Sequence, residues 1–387
     1  MRNKCINHAR NVWERAIRLL PMTDQLWYKY IHLEEKLGNV AGVRQIFERW
    51  IDWMTPDLAE EKRYWQRYIC FWINYALYEE LDAQDMDRTR EVYMKCLKLI
   101  PHKRFSFAKI WLMAAQFEIR QKNLTAARKI LGNAIGVAPK DKIFKKYIEI
   151  EFQLGNMDRC RTLYAKYLDW APENCCAWIK FAKFDMSLGE TERTRAIFEL
   201  ATKQLHLDKP ELLWKAYIDF EISERKFANA GALYEKLLIR STHYKVWESY
   251  ANFEAFTPIE KEDENHGEEG SGNLLEQKKQ RLDKAREILE RALKHYRENA
   301  PELKEERALL LEEWLSMESE FGSIGDTSLV QKKLPKKLKK RKEISSDGDP
   351  TAYEEYYEYT FSEETSEPYL KILEAAHKWK RQKADPS

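Results

Sequence analysis

Glycine and proline are scarce in this chain, at 13 and 12 of 387 residues, which argues against a loop-rich β protein. The six cysteines include no CxxC pair, and the neighbours Cys175 and Cys176 cannot easily bridge one another. No stretch approaches the roughly 20 apolar residues that cross a bilayer, and residues 1–25 are charged throughout instead of forming a signal peptide. We therefore predict a soluble intracellular protein with reduced thiols and no membrane partner.

Net charge and catalytic motifs are also lacking. The 66 basic and 64 acidic residues leave a formal charge of +2, which gives no overall attraction to nucleic acid. The eight histidines are scattered, and the sequence has no HExxH motif, nucleophile elbow or glycine-rich phosphate loop. The sequence predicts no enzyme, and no catalytic, cofactor-binding or metal-binding residues.

What the chain does contain is a repeated pattern of an aromatic residue, an acid seven positions later and, in five of seven copies, an arginine ten or eleven positions after that. The seven copies are Trp27/Glu34/Arg44, Trp72/Glu79/Arg90, Trp111/Glu118/Arg128, Phe144/Glu151/Arg161, Trp178/Asp185/Arg195, Trp214/Glu221/Gly231 and Trp247/Glu254/Arg286. From Trp72 to Trp247 the aromatic anchors are 39, 33, 34, 36 and 33 residues apart. This period is typical of helical hairpins stacked in an α-solenoid.

Each unit reads as two helices joined by a turn. In helix A, which begins near the aromatic anchor, the apolar positions lie along one side, as in WIKFAKFD from Trp178. A turn such as KLGNV follows, and helix B then carries arginine, a variable residue, an aliphatic residue and an aromatic residue or leucine, as in RAIF from Arg195. We predict an all-α, right-handed α-solenoid.

The signature residues have structural and functional interpretations. Aromatic side chains can stack on bases, but helical spacing in every unit favours a core role, so we expect Trp111, Trp178 and Trp214 to be buried. The acid and the arginine of one hairpin either line a charged groove for a partner or form an ion pair across their own turn. We favour the ion pair, because a binding surface need not repeat in every unit.

Breaks in the pattern divide the chain. We expect N-terminal repeats in 1–56, the first of them partial, and central repeats in 57–256. An acidic disordered loop is predicted at 257–280, a C-terminal repeat and cap around Trp314 at 281–329, and a largely disordered tail at 330–387, basic and then acidic, with a terminal helix from Leu370.

The tail opens with a dense basic cluster, in which eight of the eleven residues from 332 to 342 are basic. Its members are Lys332, Lys333, Lys336, Lys337, Lys339, Lys340, Arg341 and Lys342. A nuclear import signal is the favoured interpretation. Contact with RNA phosphates and a merely solvated linker remain the alternatives.

The aromatic helix A, the acid at its end and the RxIF helix B resemble the half-a-TPR, or HAT, repeat. The segments HARNVWERAIRLLP, EEKRYWQRY, FSFAKIWLMAAQFEIRQ and LVQKKLPKKLKKRK further resemble the crooked neck family of HAT-repeat pre-mRNA splicing factors, and the similarity covers nearly the whole chain. The resemblance implies a nuclear, non-catalytic scaffold of the nineteen complex. Its implied partners are spliceosomal proteins, with contact to spliceosomal RNA.

Two departures from the family pattern accompany this resemblance. The family has more repeats before Met1 and several more between the units of Trp27 and Trp72, so this chain resembles a truncated, internally shortened form. We also expect self-association through an exposed end of the array. The alternative function is a protein that binds RNA directly through the basic cluster and exposed aromatic residues.

Overall fold

The structure, a computed structural model, describes residues 2–53, 62–102, 104–105, 107–257, 270–343 and 353–361. It divides into two compact units, Met1–Asp208 and Lys209–Ser387. The first unit contains α1 (Arg2–Leu19), α2 (Asp24–Lys36), α3 (Val40–Trp53), α4 (Lys62–Leu81), α5 (Met86–Leu99), α6 (Ala108–Arg120), α7 (Leu124–Val137), α8 (Asp141–Gln153), α9 (Met157–Trp170), α10 (Cys175–Ser187) and α11 (Thr191–Thr202).

The second unit contains α12 (Pro210–Ser223), α13 (Phe227–Arg240), α14 (Tyr244–Phe256), α15 (Gly270–Asn299), α16 (Lys304–Glu320) and α17 (Thr327–Gln331), followed by β1 (Lys336–Glu343) and β2 (Tyr353–Thr360). In both units the helices pack mainly as consecutive pairs, such as α6 with α7 and α14 with α15. Each unit is thus a stack of helical hairpins, which is the α-solenoid arrangement that the repeat spacing predicts. No described helix is long and apolar enough to cross a membrane.

The aromatic anchors form the core of the stack. All seven are buried, with exposures between 0% and 7%, so the expected burial of Trp111, Trp178 and Trp214 is confirmed. Other rings stack between helices: Phe144 lies on Tyr167 at 4.7 Å and Tyr234 on Tyr250 at 4.9 Å, both nearly parallel. Large flat rings therefore fill the space within and between hairpins.

Two anchors also fix the connection that enters their hairpin. The indole N–H of Trp27 donates to the carbonyl of Pro21 at 2.9 Å, and that of Trp178 donates to Pro172 at 2.8 Å. In both copies the proline stands six residues before the anchor, after the preceding helix B has ended. Proline cannot continue the helix, and its free carbonyl is held by the next helix A.

The hairpin turns place the signature acid at the last turn of helix A. Its main-chain carbonyl accepts an N–H from five residues later, as in Asn156 to Glu151 at 2.9 Å. This closure needs a left-handed residue just before helix B. Glycine supplies it at Gly38, Gly155 and Gly189, while Gln84, Lys122 and Arg225 adopt the same positive φ in the other hairpins.

The structure differs from the sequence prediction at two places. The expected loop 257–280 is helical from Gly270 onward, and α15 extends to Asn299; residues 258–269 lie outside the described chain. The expected disordered tail contains the β1–β2 hairpin, so that part of the prediction is wrong. The helix predicted from Leu370 lies outside the described residues.

Replacing a repeat tryptophan with phenylalanine tests the indole bond. Trp178→Phe loses the bond to Pro172, whereas Trp214→Phe removes an indole N–H that is buried without a partner among the described residues. We expect Trp178→Phe to be the more destabilising of the two by about 1 kcal/mol, because it alone leaves a carbonyl unpaired. Urea unfolding followed by circular dichroism measures both, and equal losses would count against the bond.

Candidate functional site

The signature acids and arginines form ion pairs between neighbouring hairpins. In every copy with a described pair, the arginine of one helix B binds the acid of the following helix A, with nitrogen–oxygen distances of 2.6 to 3.1 Å. The six inter-repeat pairs are Arg10–Glu34, Arg44–Glu79, Arg90–Glu118, Arg128–Glu151, Arg161–Asp185 and Arg286–Glu318.

The predicted pairing across the turn of one hairpin is therefore wrong. Arg161 was expected to bind Glu151 of its own hairpin, but Glu151 accepts from Arg128 and Arg161 donates to Asp185. Each helix B has a helix A on either side, and sequence spacing does not reveal which of them faces the arginine. The charges lie inside the stack, which leaves no repeated charged groove at these positions.

Each carboxylate is enclosed by donors from two hairpins. Glu151 is fully buried and accepts from Arg128 Nε at 2.7 Å and Nη2 at 2.9 Å, while Asn156 Nδ2 from its own turn donates at 2.8 Å. Glu34 is held in the same way by Arg10 and Asn39. A guanidinium presents two parallel N–H donors to the two oxygens, so it fixes the orientation as well as the distance.

The electrostatics agree with this geometry. Burial by itself raises the pKa of the Glu151 carboxyl, but the hydrogen bonds from Arg128 and Asn156 outweigh burial and hold that pKa below its ordinary value. The same balance lowers the pKa of Glu34 and Glu318. Hydrogen bonding to Glu151 raises the pKa of Arg128 above its already high value. Both members of each of these pairs are thus charged at neutral pH.

Asp185 departs from this pattern because its side chain is one methylene shorter. Arg161 Nε reaches Asp185 at 3.1 Å, while its Nη2 binds Glu190 in the adjoining turn at 2.5 Å. Glu190 takes the place that Asn156 and Asn39 occupy in other turns. Arg195, the arginine of this hairpin, donates to Glu192 of its own helix at 2.7 Å.

The last pair was not predicted, because its helix A lacks the aromatic anchor. The acid is Glu318, and the residue seven positions before it is Leu311, whereas the sequence analysis placed the anchor at Trp314. Trp314 instead donates its indole N–H to Glu318 at 2.9 Å, and the backbone N–H of Asp326 donates to the same carboxylate at 2.9 Å. The chain after Arg286 is the signal that could have revealed Glu318, since an acid ends this helix just before Gly322.

One junction lacks the pair. Gly231 on α13 occupies the arginine position, and a Cβ added there would lie 3.6 Å from the Glu254 Oε1 of α14. Glu254 is half-exposed and has no ion pair within the described residues, whereas Glu221 and the other signature acids are buried. Burial of the acid thus accompanies the presence of its arginine, as the cost of an uncompensated buried charge requires.

A second set of charged contacts links successive B helices through a tyrosine. Arg49 binds Glu14 at 2.9 Å, and Tyr30 donates to the same carboxylate at 2.9 Å. In the second unit, Arg291 binds Glu235 at 2.9 Å and Tyr250 donates to it at 3.1 Å. Sequence analysis missed these residues, although the tyrosine always stands three positions after the anchor.

The basic cluster is not an extended tail. Lys332 ends α17, Lys333 contacts the helices, and the cluster residues from Lys336 to Lys342 lie on β1, which pairs antiparallel with the acidic, tyrosine-rich β2. In this register Lys337 is opposite Tyr359 and Lys339 is opposite Tyr357. Lys337 Nζ lies 4.4 Å from the Tyr357 ring centre, a cation–π contact. The ribbon thus places basic residues beside aromatic and acidic ones.

The hairpin is attached to the helices at both of its ends. Before β1, Lys333 Nζ lies 3.2 Å from Glu290 and 4.7 Å above the Trp314 ring. After β2, the buried Phe361 lies under the Arg307 guanidinium at 3.8 Å. These contacts hold an otherwise marginal two-stranded sheet on α16.

Metal chemistry has no evident place in this arrangement. Across the described ranges, no three histidine, cysteine, aspartate or glutamate side chains lie close enough to hold a metal ion. The buried carboxylates are each matched by guanidinium or amide donors, as described above for Glu34 and Glu151. What the arrangement supplies is a rigid display of helices.

Comparison with known proteins places this architecture. A family model described as the PRP39 N-terminal HAT repeat matches residues 2–142 and 140–258. The human protein named "Crooked neck-like protein 1" is 47% identical over 382 residues, covering 98% of this chain and 42% of that protein. The chain belongs to the crooked neck family of HAT-repeat proteins.

Other members of the crooked neck family align over a similar extent. "Protein crooked neck" of Drosophila melanogaster is 47% identical over 380 residues, covering 98% of this chain and 52% of that protein. "Pre-mRNA-splicing factor cwf4" of Schizosaccharomyces pombe is 40% identical over 382 residues, covering 98% and 55%. The chain spans about half the length of the relatives it matches.

The junction between α3 and α4 is where the crooked neck resemblance implies further repeats. Arg44 of α3 binds Glu79 of α4 at 2.6 Å and Asp85 at 2.9 Å. Phe47 stacks on Tyr75 at 4.6 Å, and Trp50 meets Phe71 edge-on at 4.1 Å. The two helices are thus joined by the same kind of pair as the other junctions in this unit.

A double-mutant cycle distinguishes the two possible partners of Arg161. Arg161→Met strands the buried Asp185, so we expect a loss of ~3 kcal/mol and a coupling of about 1 to 3 kcal/mol with Asp185→Asn. Coupling with Glu151→Gln should be near zero, since Glu151 is bound by Arg128. Urea unfolding of the five variants provides the values, and a larger coupling with Glu151 would restore the within-hairpin pairing.

The incomplete junction can be filled. Gly231→Arg restores an arginine opposite Glu254, and we expect it to exceed the gain of about 1 kcal/mol that Gly231→Ala provides through helix propensity alone. Adding Glu254→Gln to Gly231→Arg should remove the excess and leave the alanine-level gain. Melting temperatures of the four proteins test this, and a Gly231→Arg protein no more stable than Gly231→Ala would contradict it.

Proposed function

We propose that this chain is a non-catalytic scaffold in pre-mRNA splicing, acting in the nucleus through protein–protein contacts. The observation that supports this most is its 40–47% identity to relatives named as crooked neck proteins and pre-mRNA splicing factors. The inter-repeat pairs agree with this role, because they make a stiff array whose outer residues are free to contact partners. The finer proposal is that the partners are spliceosomal proteins of the nineteen complex, with contact to spliceosomal RNA.

The alternative function is direct RNA binding through the hairpin. Lys336, Lys337 and Lys339 are exposed on β1, and Tyr357 on β2 is 52% exposed, so phosphates and a base have groups to meet. The glutamates of β2 oppose this, since Glu358 lies opposite Leu338 and Glu355 opposite Arg341. We therefore favour protein contacts, and keep the nuclear import role of the cluster and self-association as proposals.

Affinity purification from nuclei tests the scaffold. Tagged protein should recover splicing proteins with equal yield before and after RNase treatment, because the contacts are made by protein surfaces. The charge-reversed variant Lys336→Glu/Lys339→Glu should recover the same set once it has been targeted to the nucleus by an added import signal.

Two results would contradict this proposal. Loss of all splicing proteins after RNase treatment would favour recruitment through RNA. Tight, steeply salt-dependent binding of free RNA by the purified chain, abolished by Lys336→Glu/Lys339→Glu, would favour the RNA-binding function. Nuclear entry of the double variant without an added signal would remove the import role of the cluster.

A further inference from the structure

The first unit has a groove between the A helices α8 and α10, with helix α9 as its floor. The cavity has a volume of about 310 Å3. Apolar and aromatic side chains line its interior, and charged ones stand at its rim. The interior residues are Ile148, Phe152, Tyr164, Tyr167 and Phe184. At this volume it lies at the small end of the range for ligand pockets, roughly 300 to 1,000 Å3.

Its residues are not required by the repeat. Phe152, eight positions after its anchor, is 47% exposed, and the same position in two other hairpins holds Glu35 and Glu80. A position where the fold accepts glutamate does not need a phenylalanine for stability. An exposed aromatic at this place therefore calls for a contact beyond the chain itself.

The rim is basic. Lys180 and Lys183 on α10 are exposed, and neither forms an ion pair within the part of the chain that the structure describes. Lys145 on α8 has a contact with Asp141 at 3.5 Å, and Glu149 is bound by Lys146 at 2.9 Å. The corresponding positions of α6 hold Met113 and Gln116, so the two lysines of α10 are also outside the repeat pattern.

One polar group inside the groove has no partner. The side chain of Tyr164 is 8% exposed and its ring stacks on Phe181 at 4.9 Å, but its hydroxyl has no hydrogen bond to a described residue. Burial raises the pKa of this phenol to about 12, so it keeps its proton at neutral pH. A hydroxyl that lines an apolar groove without a protein partner is a donor available to a ligand oxygen.

We propose that this groove binds an acidic peptide segment of a partner protein that carries an aromatic or aliphatic anchor residue. The anchor enters beside Phe152 and Phe184, flanking carboxylates meet Lys180, Lys183 and Lys145, and the Tyr164 hydroxyl donates to an oxygen of the peptide. A nucleic acid fits less well, because Phe184 and Tyr164 lie against each other at 5.7 Å and Phe152 meets Phe184 edge-on. These rings pack on one another and leave little free face for base stacking. The proposal rests on the scaffold function and names the chemistry of one partner.

Fluorescence anisotropy with the purified chain tests this. The probe is a labelled peptide of glutamates around a central Phe-Leu pair. We expect saturable binding, weakened at least tenfold by Lys180→Glu/Lys183→Glu and by Phe152→Glu, the residue found at the same position of the Trp27 hairpin. Tyr164→Phe should weaken binding by roughly fivefold, the effect of about one hydrogen bond.

The matched control variant is Lys142→Glu/Lys166→Glu, which makes the same charge change at exposed sites on α8 and α9 outside the groove. It should bind the probe within about twofold of the parent chain, and circular dichroism melts should show all variants folded. A probe with Gly-Gly in place of Phe-Leu should bind at least tenfold more weakly.

Three results would overturn the proposal. They are no saturable binding of the Phe-Leu probe, an equal loss in the control variant, and binding of single-stranded RNA that Lys180→Glu/Lys183→Glu abolishes while the peptide remains unbound. The outcome is independent of the scaffold proposal. If the parent chain binds the probe but recovers no splicing proteins from nuclei, the groove stands and the splicing function falls; the reverse result leaves splicing contacts to another face.

Discussion

The buried carboxylate at the end of each helix A is the constraint on which the stack depends. Taking a carboxylate out of water costs several kcal/mol, so Glu79, Glu151 and Asp185 are tolerable only where a guanidinium meets them. That guanidinium comes from the preceding hairpin, and its planar fork accepts one approach. The need to neutralise the acid therefore sets both the distance and the angle between successive hairpins. A lysine, as a point charge on a flexible stem, would satisfy the charge without fixing the angle.

Much of this fold follows from sequence spacing, and the part that does not has a physical reason. The distance from Trp178 to Asp185 places both on one helix, and the next arginine must lie on the following helix. Whether that arginine faces its own helix A or the next one is a question of packing, which no local pattern contains. Glu318 escaped prediction because Leu311 fills the anchor position, where any large apolar side chain can satisfy the core.

The hairpin after α17 shows the opposite limit. A run such as KKLKKRK has high charge and no apolar alternation, which is typical of a chain that cannot bury enough surface to fold alone. Its partner strand supplies tyrosines and glutamates from a separate segment, and Phe361 ties the end to Arg307. Strand formation here depends on contacts distant in sequence. Of the candidate site, the sequence revealed the basic residues but not their pairing, and it revealed nothing of the groove at Phe152.

The same neighbour rule bears on how a shortened member of the crooked neck family holds together. Every inter-repeat pair needs only an arginine on one helix B and an acid on the next helix A, so any two hairpins of the array carry compatible ends. At the α3–α4 junction Arg44 finds Glu79, and Phe47 finds Tyr75, without a specialised contact. In a stack where each hairpin contacts only its neighbours, such a junction preserves local stability. What it changes is the set of outward residues brought side by side. Because the repeated residues are consumed inside the stack, partner choice lies with residues outside the repeat, of which Phe152 and Lys183 are examples.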